Sequence, residues 1–196
     1  DHLYDPVAKG SRGDVLLVAF AGQGVGNQQW VSPCAAARSA GIALDALYLA
    51  DPSNSYYMQD PAGEWNGIAH FKSVLEQFTV HYPKVLMVGS SMGGTASLLH
   101  AGLADRVLAF GPKVDADLLA ARPTQARGSF LPAHARHTCA VAVAVALAQM
   151  EVQKKCTVAV HVGGENEEDV LEAEQVRHIG GVTIVHHNTY QHNIPM

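Results

Sequence analysis

Short apolar runs that alternate with helix-length segments decide what this chain can fold into. The runs cover residues 15–20, 42–49, 85–88, 107–110, 157–162 and 182–186, are rich in Val, Leu, Ile and Phe, and are bounded by Gly, Pro, Asp or Asn. They lack the strict apolar–polar alternation of strands with one wet face, so they read as strands covered on both sides. Between them lie helix-length segments at 30–40, 68–78, 92–103, 134–153 and 169–178. Strand alternating with helix builds βαβ units, right-handed crossovers and a parallel sheet. The expected fold is α/β, a three-layer α/β/α sandwich around a mainly parallel sheet of about six strands. No internal repeat or low-complexity linker divides the 196 residues, so a single domain spanning 1–196 is expected. Residues 112–132 read as a loop or small excursion, short for a lid.

Charge narrows the classes of partner. Thirteen Lys and Arg against 18 Asp and Glu leave a net charge of −5. A mildly acidic chain without a basic cluster is a poor candidate for nucleic-acid binding. The longest apolar stretch, 139–150, is too short to span a bilayer. The three cysteines, Cys34, Cys139 and Cys156, are widely spaced and odd in number. That argues against a disulfide framework or structural zinc and makes them small buried hydrophobes. The chain opens Asp1-His2 without an initiator Met and stops after Pro195-Met196, so it reads as a trimmed domain. Absence of a signal peptide and of a disulfide pattern favours the cytoplasm, although trimmed ends would remove targeting signals. Nothing in the sequence fixes an oligomeric state.

The chemistry centres on residues 89–93, Gly89-Ser90-Ser91-Met92-Gly93, a G-x-S-x-G pattern. Composition alone produces such a pattern fairly often, so its context carries the weight. A buried-looking strand precedes it and a helical segment follows, as a nucleophile elbow needs. The turn strains the serine backbone, and flanking glycines keep side chains from colliding across it. Its hydroxyl then stands at a helix N-terminus, where N–H groups and the helix dipole favour developing negative charge.

A nucleophilic serine needs a base, and the base needs an acid to fix its tautomer; on such a sheet the order is Ser, acid, His. After the last strand come His186, His187 and His192. The first two fit strand-end positions, whereas His192 lies farther out on a loop that can reach the serine. A metal site here is disfavoured, because this segment holds no acidic residue. After the strand at 157–162 come Glu165, Glu167, Glu168 and Asp169. Asp169 would also serve as a helix cap, and Glu165 is nearer the strand end, so spacing leaves the choice open. One oxyanion donor would be the N–H of Met92. The other would come from the glycine-rich loop after the first strand, from Gln23 or less favourably Gly22.

These residues resemble the α/β-hydrolase superfamily, on the run Lys-Val-Leu-Met-Val-Gly-Ser-Ser-Met-Gly-Gly at 84–94 and Val-Leu-Ala-Phe-Gly-Pro at 107–112. More narrowly they resemble small, lid-poor hydrolase-like proteins of bacteria and algae. Those carry Phe-x-Gly after the first core strand (Phe20-Ala21-Gly22), an Asp- and Tyr-rich segment after the second (Asp51, Tyr56, Tyr57), an Asp-x-x-x-Ala helix start (Asp169, Ala173) and a final loop histidine. The resemblance covers about 14–194 and implies Asp169 as acid, His192 as base and esterase-like chemistry without a cofactor. Two features depart from it: the loop Gly22-Gln23-Gly24 lacks the usual His-Gly pair, and Gln191-His192 replaces Gly-His.

The function expected is therefore that of a serine esterase or thioesterase acting on a small ester or acyl substrate through an acyl-enzyme. The first rival is a non-catalytic domain of the same fold that binds a partner or acyl ligand. The second is a dinucleotide-binding domain, since Gly22, Gly24 and Gly26 with Asp51 imitate that fingerprint, although Asn27 stands where a third small residue is needed.

Overall fold

The computed structural model describes residues 2–7, 13–24, 27–114, 131–153, 155–192 and 194. Most of the expected excursion at 112–132, and Gly26 of the glycine loop, lie outside the described residues.

The apolar runs form strands β2 (Val15–Phe20), β3 (Leu44–Leu49), β4 (Lys84–Ser90), β5 (Arg106–Phe110), β6 (Thr157–Gly163) and β7 (Val182–His187). A seventh strand, β1 (His2–Asp5), is the one that patterning misses. It has no apolar run of its own and pairs antiparallel with β3, His2 opposite Leu49 and Asp5 opposite Ala46. Arg38 pins it, donating 2.7 Å bonds to the Asp5 carboxylate and carbonyl. The sheet order is β1-β3-β2-β4-β5-β6-β7, parallel apart from β1.

The helices are α1 (Val31–Ser39), α2 (Gly67–Thr79), α3 (Met92–Leu99), α4 (Ala133–Gln153) and α5 (Glu167–Glu174). The alternation within β2 shows how the layers form: Leu16, Val18 and Phe20 join the core shared with α2, α3, α4 and α5, while Ala19 joins the cluster of Trp30 and Cys34 on the α1 side. In α4 the buried positions Ala135, Cys139, Val143, Leu147 and Met150 recur at three or four residues, the signature of one helical face. The helix expected over 92–103 is divided: α3 stops before His100, and a short 3-10 turn covers Ala101–Leu103. All three cysteines are buried, and burial pushes the Cys139 thiol to about 12 and Cys156 to about 11, so neither is a ready thiolate. Among the described residues no helix is long and apolar enough to cross a membrane.

From β2 the chain steps to β3 on one side, then returns to β4 on the other. That reversal is a topological switch point, and open α/β sheets bind ligands beyond the carboxyl ends of the strands at such points. The loop after β2 and Ser91 after β4 both border this one.

Candidate active site

Ser91 has φ 54° and ψ −120°, a conformation L-residues rarely adopt. The fold over-determines it. The Ser91 N–H donates 2.7 Å to the Phe110 carbonyl, and its own carbonyl accepts the Thr95 N–H at 3.0 Å. Gly89 is required by contact: a Cβ there would run into the Gly93 carbonyl across the turn. A Cβ on Gly93 would strike the Phe20 carbonyl of β2. Gly89→Ala is therefore expected to cost roughly 2–3 kcal/mol through overpacking against backbone. That is a fall in melting temperature of about 5–10 °C. An unchanged melting curve would contradict the packing of this turn.

The imidazole of His192 rests on the next turn of chain. Gly111, at φ 50°, follows the Phe110 carbonyl that anchors Ser91, and a Cβ on it would lie 2.9 Å from His192 Cε1. His192 Nδ1 is 2.8 Å from both carboxylate oxygens of Asp169. An ionised carboxylate only accepts, so Nδ1 carries the hydrogen and, in the neutral ring, Nε2 carries the lone pair. Nε2 is buried and makes no hydrogen bond among the described residues. Asp169 is fully buried. Burial alone would raise its carboxyl, but bonds from His192 and Lys113 outweigh it and hold the group below its ordinary value.

Asp169 does not begin its helix. Asn166 caps α5, its side chain accepting the Asp169 N–H at 3.2 Å, so Asp169 is the third helical residue with its carboxylate turned inward. Glu165 is exposed, and its N–H donates to the Thr189 carbonyl at 3.2 Å. The final loop crosses close over β6: a Cβ on Gly163 would sit 2.7 Å from the Thr189 carbonyl oxygen and 2.8 Å from that of Gln191. The other two histidines face different partners. His187 Nε2 lies 3.0 Å from His161 Nδ1, with the rings stacked, and exposed His186 lies 3.3 Å from Arg177.

In the loop after β2, the Gly22 N–H already donates to Gln29 Oε1 at 3.3 Å and the Gly24 N–H to Asn54 Oδ1 at 2.9 Å. Gln23 sits exposed between these anchors. The Met92 N–H belongs to the first turn of α3, where the helix supplies no acceptor. Asp51, the acid of the dinucleotide fingerprint, is committed to its own chain. It accepts N–H bonds from Ser53 at 3.0 Å, Ser55 at 2.6 Å and Tyr57 at 2.9 Å, and the Ser55 hydroxyl at 3.0 Å. These bonds hold Asn54, Tyr56 and Tyr57 at φ near 50–61°. Tyr57 is a core residue: its hydroxyl lies 3.0 Å from the carbonyls of both Ala21 and Leu49, beneath the loop that carries Gln23. Among the described residues no three His, Cys, Asp or Glu side chains converge as a metal cage.

Comparison with solved structures adds the fold's identity. Est1E from Butyrivibrio proteoclasticus superposes with a TM-score of 0.66 at 11% identity, over 98% of this chain and 86% of that one. A fluorophosphonate-binding serine hydrolase of Staphylococcus aureus, FphF, gives 0.64 at 10% identity over 94% and 80%. The chain has the α/β-hydrolase fold. The esterase Pf2001 of Pyrococcus furiosus is also similar, with a TM-score of 0.54 at 16% identity over 89% and 73%. No protein-family model matches the sequence, and no curated protein matches it.

Proposed function

We propose that the chain hydrolyses carboxylic esters or thioesters through an acyl-enzyme on Ser91, with His192 as the base and Asp169 as the acid that fixes its tautomer. The observation that carries this reading is His192: Nδ1 is locked onto a dry carboxylate while Nε2 stays buried without a hydrogen bond, beside the turn that anchors Ser91. In the first step Ser91 Oγ bonds the carbonyl carbon and its proton passes to Nε2. Negative charge moves to the carbonyl oxygen, where the N–H groups of Met92 and Gln23 serve as donors; Gly22 is the alternative, disfavoured by its bond to Gln29. The imidazolium returns the proton to the departing alkoxide or thiolate. Water then attacks the acyl carbon, giving one proton to Nε2, and that proton returns to Ser91 Oγ as the acid leaves. Glu165 is the alternative acid, and the exposure of its side chain counts against it.

Two neighbours support the same class by name: Est1E has been crystallised with ferulic acid bound, and FphF is described as a fluorophosphonate-binding serine hydrolase. The test is reaction with a fluorophosphonate probe and mapping of the adduct by mass spectrometry. A single adduct on Ser91 is expected. No adduct, or one elsewhere, would overturn the reading and favour a non-catalytic domain.

A further inference from the structure

Immediately after β5 the chain buries a lysine that the mechanism above does not use. Lys113 is 1% exposed, and its Nζ donates to Asp169 Oδ1 at 2.8 Å and to Glu168 Oε1 at 3.2 Å. Lysine is almost never fully buried unless paired, and its long stem normally reaches for water. Here the backbone prevents that. The Lys113 N–H donates to Thr95 Oγ1 at 2.9 Å, and the Thr95 hydroxyl donates back to the Lys113 carbonyl at 2.8 Å. Thr95 is itself bonded to the Ser91 carbonyl. The next N–H, of Val114, donates to Glu172 on α5 at 2.7 Å. Residues 113–114 therefore clamp the serine's helix to the acid's helix, with the ammonium fixed between them.

One carboxylate thus holds both the imidazole of His192 and the ammonium of Lys113. A carboxylate beside an imidazole attracts positive charge on the ring, and a cation on the same carboxylate opposes that attraction. Among the described residues, the charged groups around the pair are Lys113 and, behind it, Glu168; Glu172 is turned to the Val114 N–H and Glu165 to solvent. We propose that Lys113 is a positioning residue, which aligns the Asp169 carboxylate on His192 Nδ1 and sets its own positive charge against charge on the ring. The proposal rests on the hydrolase reading for its kinetic consequence, though not for its electrostatic one.

The experiment compares wild type, Lys113→Met and Lys113→Arg in two readouts. One is the acid limb of kcat/KM for a p-nitrophenyl ester. The other is NMR titration of the His192 Cε1–H, assigned by its loss in His192→Gln. In K113M both midpoints should rise by about 0.5–1 pH unit. In K113R, which keeps the charge, both should stay at the wild-type value. A lower rate at every pH with unmoved midpoints means a merely structural lysine and overturns the proposal. If K113M fails to fold, Glu168→Gln decides: it removes the charge that compensates Lys113, so the midpoint should fall, and an unmoved one overturns the proposal. If the protein turns over no ester and takes no probe, the hydrolase reading fails while the NMR titration still decides the role of Lys113.

Discussion

Replacing Ser91 by Ala is expected to lower p-nitrophenyl ester turnover by about 10⁴-fold or more, without a measurable change in melting temperature. The rate effect follows from chemistry: alanine offers no oxygen to form the acyl-enzyme, and the remaining groups only hold substrate near water. The unchanged stability follows from structure. The Ser91 side chain makes no capping hydrogen bond to α3, and alanine keeps the same Cβ, so it inherits the same strained backbone at φ 54°. His192→Ala should lose a similar amount, because the serine and its base act as one unit. The double variant should then be no slower than either single one. Losses that multiply would mean that the two residues act independently. A Ser91→Ala protein that keeps within about tenfold of wild-type turnover would end the hydrolase proposal.

Much of the fold was legible because its strands announce themselves. A strand buried on both faces must be apolar nearly throughout, and β2 to β6 coincide with such runs to within a few residues, as does the edge strand β7, which has no fully buried residue. The discrepancies arise where a distant contact overrides local pattern. Ile42 looks like the start of β3, yet it is half exposed and the strand begins at Leu44, after the turn at Gly41. β1 owes its existence to pairing with β3 and to Arg38. The start of α5 depended on which of Asn166 and Asp169 caps it, and both are capping residue types.

The site divides in the same way. The elbow is local, since its strand, glycines and helix are contiguous, and the sharp turn at Ser91 follows from them. The choice between Asp169 and Glu165 is not local. In the fold they differ in burial, Asp169 being fully buried and Glu165 exposed, and spacing along β6–α5 contains no trace of that. Lys113 lay inside a segment that reads as loop. Its partner Asp169 stands 56 residues away, so only the folded chain reveals that this cation is dry.

At the opposite end of the sheet, Asp45→Ala is expected to lower the free energy of unfolding at pH 7 by about 3–5 kcal/mol. A carboxylate near the start of buried β3 would be costly if isolated, and here it is surrounded by donors. Asp45 accepts the Tyr82 hydroxyl at 2.6 Å, the Val7 N–H at 2.7 Å and the Gly13 N–H at 2.9 Å, with the Tyr4 hydroxyl at 3.0 Å. It thereby ties β1 and the chain leading into β2 to the start of β3. Alanine would leave the buried Gly13 N–H without its acceptor and the partly buried Tyr4, Val7 and Tyr82 donors without theirs. Burial pushes the Asp45 carboxyl up, but the Tyr82 hydroxyl, the two N–H groups and the Tyr4 hydroxyl outweigh it, so the folded-state value lies below the ordinary one. A depressed folded value fixes the sign. The stabilisation is complete above the unfolded-chain value near 4 and is lost as pH falls through the lower folded one. Urea unfolding of wild type and D45A should therefore show a deficit that is constant near neutrality and shrinks in acid. A deficit under about 1 kcal/mol at pH 7, or one that grows on acidification, would refute the charged, donor-saturated state of Asp45. Because Ser91 lies beyond the carboxyl end of β4, turnover per folded molecule should not change in this variant.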